Sequence, residues 1–172
     1  MQLTKLDPTG KPWNEAVLHA LGAGSIAYPT GTGGVVEAVI VSPDIDLSGY
    51  AAAVAAEGKR ELAAYASAVR YDKEIGGITY NGSPIATDDR SKQMILGARM
   101  AAQADATFTT KWAATDGTIV ALDAAGLVAL SNAVLAHVQA CFLRFASVKA
   151  DIDAGNVTTT AQVDAAFAAI TV

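Results

Sequence analysis

The sequence predicts an α+β fold in which helices dominate: a long central helix packed with two further helices, and small antiparallel β-hairpins. Three observations predict this fold. Apolar residues recur every three or four positions from residue 127 to residue 152, which indicates one long amphipathic helix. Asn81-Gly82 and Asp116-Gly117 each separate two short runs rich in β-branched or aromatic residues, a pattern typical of hairpins. Proline and glycine are concentrated before residue 47, which indicates a separate N-terminal segment.

Residues 1–46 are therefore predicted to form a small Pro/Gly-rich attachment module, and residues 47–172 a helical domain. Within the module, Pro12 is expected at the first position of a short helix that ends at Gly22. The β-branched run from Val35 to Val41 predicts a strand. The composition changes between Pro43 and Leu47, and this change marks the predicted domain boundary.

An alanine-rich helix is predicted next, from about Ser48 to Glu74, and Gly76-Gly77 should end it. The following hairpin spans residues 78–85. Its Asn-Gly pair supplies the two positive φ angles that a type I′ turn requires. Pro84 has no amide hydrogen to donate, so its strand should lie at a sheet edge.

Thr87 or Asp88 is expected to cap a second helix, and Asp123 the long central one. Between these two helices the chain should form a hairpin from residues 108–112 and 118–120. The central helix should end near Gly155. Its predicted buried stripe consists of Leu127, Leu130, Val134, Val138, Cys141, Phe142, Phe145, Val148 and Ile152. A capping box at Thr159 and Gln162 predicts a last short helix.

Charge and composition exclude several classes of function. The net charge of −5, with no basic run longer than Lys59-Arg60, argues against nucleic acid as a partner. A single cysteine, Cys141, excludes an internal disulfide framework and a cysteine zinc site. The most apolar window, from Ala124 to Leu143, contains serine, asparagine, histidine and glutamine, so we expect no membrane insertion. No signal peptide is evident, and we expect the protein to be made and folded in a cytoplasm.

The candidate chemical motifs all have simpler interpretations. His137 and Cys141 lie four residues apart on one helix face, which would suit a metal or a thiolate–imidazole pair. No third ligand or triad member is placed, so a core cysteine beside a half-buried histidine is the favoured interpretation. Gly22-Ala23-Gly24 matches the start of a dinucleotide fingerprint but lacks the strand before it. Asp88-Asp89 opens a helix, where acidic residues are expected. We therefore predict no catalytic, cofactor-binding or metal-binding residues.

The central segment also carries a family resemblance. Its residues are Gly77-Ile78-x-Tyr80-x-Gly82-x-x-Ile85-x-Thr87-Asp88-x-x-Ser91, then Ile95-x-Gly97-Ala98, Trp112, Asp116-Gly117 and His137-Val138-Gln139-Ala140-Cys141-Phe142. From about Ala53 to Ile170 the chain resembles a domain of unknown function of tailed bacteriophages and prophages. Members of that family are encoded near tail-fibre genes. Some look like tail-fibre assembly proteins, and others look like parts of tail proteins.

The resemblance implies a non-enzymatic structural component of the virion tail, made in the host cytoplasm. Its location would be the tail tip, the baseplate or the region where the tail fibre attaches. The implied partners are other tail or fibre proteins and further copies of this chain, as a homo-oligomer. The alternative is a tail-fibre assembly chaperone that the virion does not retain. Candidate residues for the protein interface are Trp13, Tyr28, Val39, Tyr50 and Tyr65.

Overall fold

A computed structural model of the chain describes residues 1–4, 6–8, 10–30 and 38–170. The described chain divides into two compact units, residues 1–61 and residues 62–172. The division falls within a helix, because the first turns of that helix pack with the N-terminal unit. The predicted boundary after residue 46 lies inside the first unit.

The N-terminal unit joins a two-stranded antiparallel sheet to a short helix. Strand β1 (Gln2–Thr4) pairs with β2 (Ala38–Ile40), and α1 (Glu15–Ala20) lies between them in sequence. The core of this unit contains Val17, Leu18, Ala23, Val39, Val41 and Tyr50. Of the predicted strand from Val35 to Val41, residues 35–37 lie outside the described residues, and residues 38–40 are in β2.

The predicted start of α1 is wrong by three residues. Asn14 is the N-cap, and its side chain accepts a hydrogen bond from the Val17 amide at 3.1 Å. Asparagine is among the preferred N-cap residues because its side-chain oxygen satisfies an amide that the helix leaves unpaired. This capping bond sets the helix start at Glu15, so Pro12 lies before the helix and not at its first position.

Helix α2 (Tyr50–Ile75) ends just before Gly77, as the glycine pair predicted. The next element is the predicted hairpin of β3 (Ile78–Tyr80) and β4 (Ser83–Ile85). At the turn, Asn81 has φ 49° and Gly82 has φ 80°, the two positive angles of a type I′ turn.

Helix α3 (Asp89–Ala104) and a second hairpin follow. Asp88 caps α3, because its carboxylate accepts hydrogen bonds from the amide and the hydroxyl of Ser91. The second hairpin pairs β5 (Thr109–Ala113) with β6 (Ile119–Asp123), so both of its strands end slightly later than the sequence predicted.

Helix α4 (Ala124–Ala154) is the long central helix of the second unit. Asp123 caps it by accepting a hydrogen bond from the Gly126 amide at 2.7 Å. Gly155 ends it in the left-handed conformation, with φ 82°, where glycine has no Cβ to clash. Both ends agree with the sequence prediction.

Two hydrophobic clusters lie along one side of α4. The first half of the helix contributes Leu127, Leu130 and Val134 to a cluster with α3 and both hairpins. The second half contributes Cys141, Val148 and Ile152 to a cluster with residues of α2 beyond Glu61 and with α5 (Thr160–Ala168). The predicted capping box at Thr159 and Gln162 is confirmed at the start of α5. The helix-dominated α+β class is confirmed as well.

Three positions of the predicted buried stripe are not buried: Val138 and Phe145 are only partly buried, and Phe142 is exposed. Phe142 is 50% exposed, whereas His137, which the stripe did not include, is 8% exposed. The buried positions of α4 cover a narrow sector of the helix, and Phe142 lies at the edge of that sector. His137 is buried because its ring has a hydrogen-bond partner, which is described below.

We expect the loss of unfolding free energy on truncating a leucine of α4 to depend on whether that leucine lies on the buried or the exposed side of the helix. Leu130 is fully buried, whereas Leu143 is 72% exposed. Leu130→Ala should lower the free energy of unfolding by about 3–5 kcal/mol, because it leaves a cavity in the core. Leu143→Ala, the matched control on the same helix, should change it by less than about 0.5 kcal/mol in dilute protein. Urea denaturation followed by circular dichroism measures both, and equal losses would contradict the assigned sides of α4.

The stability of α3 should depend on pH through Asp88. Hydrogen bonds from the Ser91 hydroxyl and amide lower the pKa of the Asp88 carboxyl below its ordinary value of 3.8. A carboxyl group whose pKa is lower in the folded state than in the unfolded state stabilises the fold at pH values above the unfolded-state pKa. This stabilisation is lost as the pH falls through the folded-state pKa. Asp88→Asn keeps a side chain suited to capping but cannot titrate.

The difference in unfolding free energy between the wild type and Asp88→Asn should therefore shrink as the pH is lowered below 3.8. Urea denaturation at a series of pH values measures this difference. If the unfolding free energies of the wild type and Asp88→Asn change equally with pH through the acidic range, Asp88 is not responsible for the pH dependence.

Candidate functional site

The side of α4 that faces away from both hydrophobic clusters is apolar as well. None of the 20 residues from Ala124 to Leu143 is Asp, Glu, Lys or Arg. Along this side Leu135 is 52% exposed and Leu143 is 72% exposed, with Phe142 at its edge. A helix that faces solvent normally carries charged residues on its exposed side. This side of α4 therefore has the composition of a buried surface while it remains uncovered.

Helix α3 lies beside α4 and also exposes apolar side chains. The Arg99 guanidinium donates hydrogen bonds to the Ser131 hydroxyl at 3.2 Å and to the Asn132 side-chain oxygen at 2.6 Å, which places this side of α3 beside α4. Leu96 and Met100 lie three residues before and one residue after Arg99 and are 56% and 63% exposed. We call the exposed side chains of Leu96, Met100, Leu135, Phe142 and Leu143 the outer apolar surface.

Of the described helices, α4 alone is long and apolar enough to span a membrane, with a mean hydropathy of 1.6 over its most apolar window. Core helices of soluble proteins also meet this criterion. In that window 28% of the residues are buried within the protein. The expectation that α4 does not insert into a membrane stays a prediction.

The C-terminal end of α2 is held by one side chain of α4 and by one from the segment between β4 and α3. His137 Nε2 lies 3.0 Å from the Lys73 carbonyl oxygen, and because a carbonyl only accepts, the ring nitrogen donates. The Thr87 hydroxyl donates to the Glu74 carbonyl at 2.6 Å and accepts from the Gly77 amide at 2.9 Å. The last carbonyls of a helix have no partner within it, and Thr87 satisfies the Glu74 carbonyl in this way. The Lys73 carbonyl accepts a second hydrogen bond, from the Gly76 amide at 3.3 Å, in addition to the one from His137.

A cluster of charged side chains surrounds the same helix end. The Glu74 carboxylate pairs with Arg70 and with the Lys92 ammonium, the latter at 2.7 Å. Burial opposes the charge on Lys92, but the carboxylates of Glu74 and Asp89 outweigh that effect and raise the pKa of its ammonium. The Arg70 guanidinium also lies over the Phe142 ring, 4.4 Å from its centroid. The cluster therefore ties α2, α3 and α4 together within the second unit.

His137 and Cys141 are both buried in the second unit. Cys141 is fully buried, and burial raises the pKa of its thiol, so the protonated form is favoured. Its Sγ lies 3.9 Å from His137 Nε2, which already donates to the Lys73 carbonyl. The core position predicted for Cys141 is confirmed, and His137 is more deeply buried than the predicted half. Across residues 1–4, 6–8, 10–30 and 38–170, no three His, Cys, Asp or Glu side chains are placed to hold a metal ion.

An open groove of about 710 Å³ runs beside α4 in the second unit. Ile78 and Thr79 of β3 form one part of its lining, and Ile170 forms another. The residues of α4 that line it include His137, Leu143 and Arg144. Leu143 thus belongs both to the groove and to the outer apolar surface. Arg144 is the one charged side chain among the described residues that line the groove.

The five predicted interface residues have different environments. Val39 and Tyr50 are buried, at 1% and 3% exposure, in the core of the N-terminal unit. Trp13 is partly buried against Tyr50, with ring centroids 4.6 Å apart. Tyr28 is 39% exposed and Tyr65 is 37% exposed. Packing within the unit therefore accounts for Val39 and Tyr50, while the two exposed tyrosines leave surface for a partner.

The two exposed tyrosines each donate a hydrogen bond to a carboxylate. Tyr28 donates to Glu15, and burial together with this bond raises the pKa of its phenol to about 12. Tyr65 donates to Asp164 at 2.8 Å, and that bond raises the pKa of its phenol. Both phenols therefore stay neutral at physiological pH.

The outer apolar surface was missed by the sequence analysis. Leu96, Met100, Leu135 and Leu143 were not predicted as interface residues. The signal was present in the uncharged run from Ala124 to Leu143, which was considered only as a membrane span. A helix that is apolar on all sides is normally buried on all sides, either by its own chain or by another molecule.

The fold and the site define a helix-dominated α+β domain with an exposed apolar surface on two neighbouring helices. Residues 57–170 match the family described as a domain of unknown function, DUF4376, and the chain belongs to that family. No curated protein and no solved structure matches the chain.

The bonds of Thr87 at the end of α2 give a direct test of this helix junction. Thr87→Val keeps the shape of the side chain but leaves the Glu74 carbonyl and the Gly77 amide without their partner. We expect the free energy of unfolding to fall by about 2–3 kcal/mol. Thr79→Val, an exposed threonine in the neighbouring hairpin, is the matched control and should be close to neutral. Chemical denaturation of both variants measures the effect, and a neutral Thr87→Val would contradict the proposed role.

Proposed function

We propose that the protein is a non-enzymatic structural component of a bacteriophage tail that acts through protein–protein contacts. Its proposed location is the tail tip, the baseplate or the region of tail-fibre attachment. The phage assignment rests on the resemblance carried by residues 77–98, 112–117 and 137–142. Its proposed partners are other tail or fibre proteins, together with further copies of the chain.

The outer apolar surface is the observation that supports a role in protein contacts. It brings together five large apolar side chains, each at least half exposed, on two neighbouring helices. Large exposed apolar area typically marks an interaction site in a protein. Within an assembly, a neighbouring subunit would remove this surface from water and thereby stabilise the complex.

We propose that the N-terminal segment, residues 1–46, attaches the protein to a neighbouring tail component. Tyr28 is suited to such a contact because it is exposed and has a polar group at its tip. Its hydroxyl is already bonded to Glu15, which fixes the ring position before a partner binds. A side chain that is ordered in advance loses less entropy on binding.

An assembly chaperone for the tail fibre is the second candidate. The outer apolar surface favours this role too, because a chaperone needs apolar area that is free until its client binds. Under this alternative the surface would bind the fibre only transiently, and the finished particle would lack the protein.

Quantitative mass spectrometry of purified virions separates the two candidates. A structural component should be present at a fixed ratio to the other tail proteins, because a symmetric assembly contains a defined number of copies. A ratio that stays constant through gradient purification would support the structural role. Only trace amounts, falling with each purification step, would contradict it. Lysate from the same infected culture is the control that the protein was made.

A further inference from the structure

We infer that the open groove between β3 and α4 binds an extended segment of a partner protein. The segment adds to β3 as a further strand and places an acidic side chain against Arg144. This binding mode rests on the proposed function in one respect, because it takes the protein to act through contacts with other proteins. It goes further by naming the geometry of the contact and the chemistry of the bound segment.

The groove runs along the unpaired edge of β3. The hairpin sheet consists of two strands, so β3 pairs with β4 on one edge only. Ile78 and Thr79 both line the groove. Consecutive residues of a strand have their side chains on opposite faces of the sheet, so a groove that contacts both residues lies along an edge of the strand. Because the other edge is paired with β4, the groove lies at the unpaired one.

The backbone of Thr79 has free hydrogen-bonding groups at this edge. Thr79 lies opposite Pro84 in the hairpin. The Pro84 carbonyl accepts a hydrogen bond from the Thr115 amide at 2.9 Å, so it points away from β3. Opposite residues of an antiparallel pair either both point their backbone groups at each other or both point them away. The Thr79 N–H and C=O therefore point away from β4, and no described residue forms a hydrogen bond with either group.

An extended peptide is the ligand that complements such an edge. One residue of the peptide can exchange two backbone hydrogen bonds with Thr79, as in an antiparallel sheet. Proline and charged side chains are two means by which proteins block pairing at an exposed edge, and β3 contains neither. On the opposite edge of the hairpin, β4 contains Pro84. The unblocked edge of the hairpin is thus the one that lines the groove.

Helix α4 forms the other wall of the groove. Its lining residues recur at steps of four and three, so they follow one line along the helix. They include Ala133, His137, Ala140, Arg144 and Ser147. This line is about 21 Å long, the length of about six residues of extended chain. An open groove of this length suits an extended segment better than a small molecule, because pockets for small molecules enclose most of the ligand surface.

Arg144 supplies the charge preference of the groove. It is half-buried, and no carboxylate of a described residue pairs with its guanidinium. Arg70, by contrast, is paired with Glu74. The Ser147 hydroxyl follows Arg144 by three residues on the same line and provides a second donor. A guanidinium in an otherwise uncharged groove favours a carboxylate, to which it can donate two parallel hydrogen bonds.

An acidic side chain fits this position better than the carboxylate at a chain end. Proteins typically capture a terminal carboxylate with several converging backbone N–H groups. Arg144 and Ser147 instead lie within α4, where the amides are bonded inside the helix. Ile78 shares a core cluster with Val134, ten residues before Arg144. The distance along the helix is about 15 Å, so the acidic residue should lie about four or five positions from the residue paired with Thr79.

Selection from a yeast-displayed library of random nonapeptides tests the charge preference. Both ends of each peptide are joined to Gly/Ser linkers, so no terminal carboxylate is present. The full chain should enrich peptides that contain aspartate or glutamate, and Arg144→Gln should lose this acidic preference. Arg90→Gln, the same change at an exposed arginine of α3, should select the same peptides as the wild type. No enriched peptide, or an unchanged acidic preference in Arg144→Gln, would overturn the inference.

Fluorescence polarisation with the tightest selected peptide, blocked at both ends, tests the ion pair. Arg144→Gln should raise the dissociation constant about tenfold to a hundredfold, because a charge-assisted hydrogen bond is lost. Replacing the acidic residue of the peptide by its amide should weaken binding to the wild type to a similar extent. The same replacement should have little effect on binding to Arg144→Gln, since the pair is already broken. Two losses that simply multiply would show that the acidic residue binds elsewhere.

Methylation of single peptide amides tests the addition of a strand. Neighbouring amides of a strand point to opposite edges, so only one of two adjacent positions can donate to Thr79. Methylation there should weaken binding about tenfold, and methylation of the next amide should have little effect. Thr79→Pro removes the donor on the protein side without removing a bond of the hairpin, and it should weaken binding similarly while the circular dichroism stays unchanged. Equal effects at adjacent peptide amides would overturn the strand arrangement.

Three further outcomes are decisive. Self-association of the chain that Thr79→Pro abolishes, without peptide binding, would overturn the inference in favour of a second copy at this edge. A chain that binds acidic peptides but is absent from virions would contradict the proposed structural role and leave the inference standing. A chain that selects no peptide but is stoichiometric in virions would do the reverse.

Discussion

The packing of α4 on one side only is the constraint on which the second unit depends. A single stripe of buried residues serves two hydrophobic clusters, one with α3 and the hairpins and one with α2 and α5. Removing that stripe from water supplies most of the driving force for assembling these elements. From Ala124 to Leu143 the same helix contains no Asp, Glu, Lys or Arg, so its exposed side is uncharged over this length. A helix that fills the core and also exposes apolar area accounts both for the fold and for the proposed role.

The junction at the end of α2 shows how polar groups are accommodated next to these clusters. His137 and Thr87 lie far apart in sequence, yet each accounts for a backbone carbonyl at the same helix end. Buried carbonyls without partners would cost free energy, so the two side chains make this close approach of helices possible. This structural task gives a reason for a buried histidine at this position. It also explains why Thr87 is buried while its neighbour Asp88 caps α3.

Local signals allowed much of the fold to be predicted. Caps at Asp88, Asp123 and Thr159, and the turn at Asn81-Gly82, depend on a few adjacent residues and are confirmed. The predictions were wrong at positions whose burial depends on tertiary contacts. Phe142 has the spacing of a core residue but lies at the edge of the buried sector of α4 and is half exposed. The Arg70 guanidinium, and not the core, packs on its ring. His137 is buried because of a carbonyl that is 64 residues away in the chain. The outer apolar surface could not be recognised before the structure showed which side of α4 was already covered.

Methyl NMR with a soluble paramagnetic agent tests the two-sided character of α4 most directly. In dilute protein, the agent should leave the Leu127 and Leu130 methyl signals sharp and broaden those of Leu135 and Leu143. The methyl signals of Ile119, an exposed side chain outside α4, should broaden as well and provide the reference for an exposed group. Protection of Leu143, or broadening of Leu127, would contradict the account.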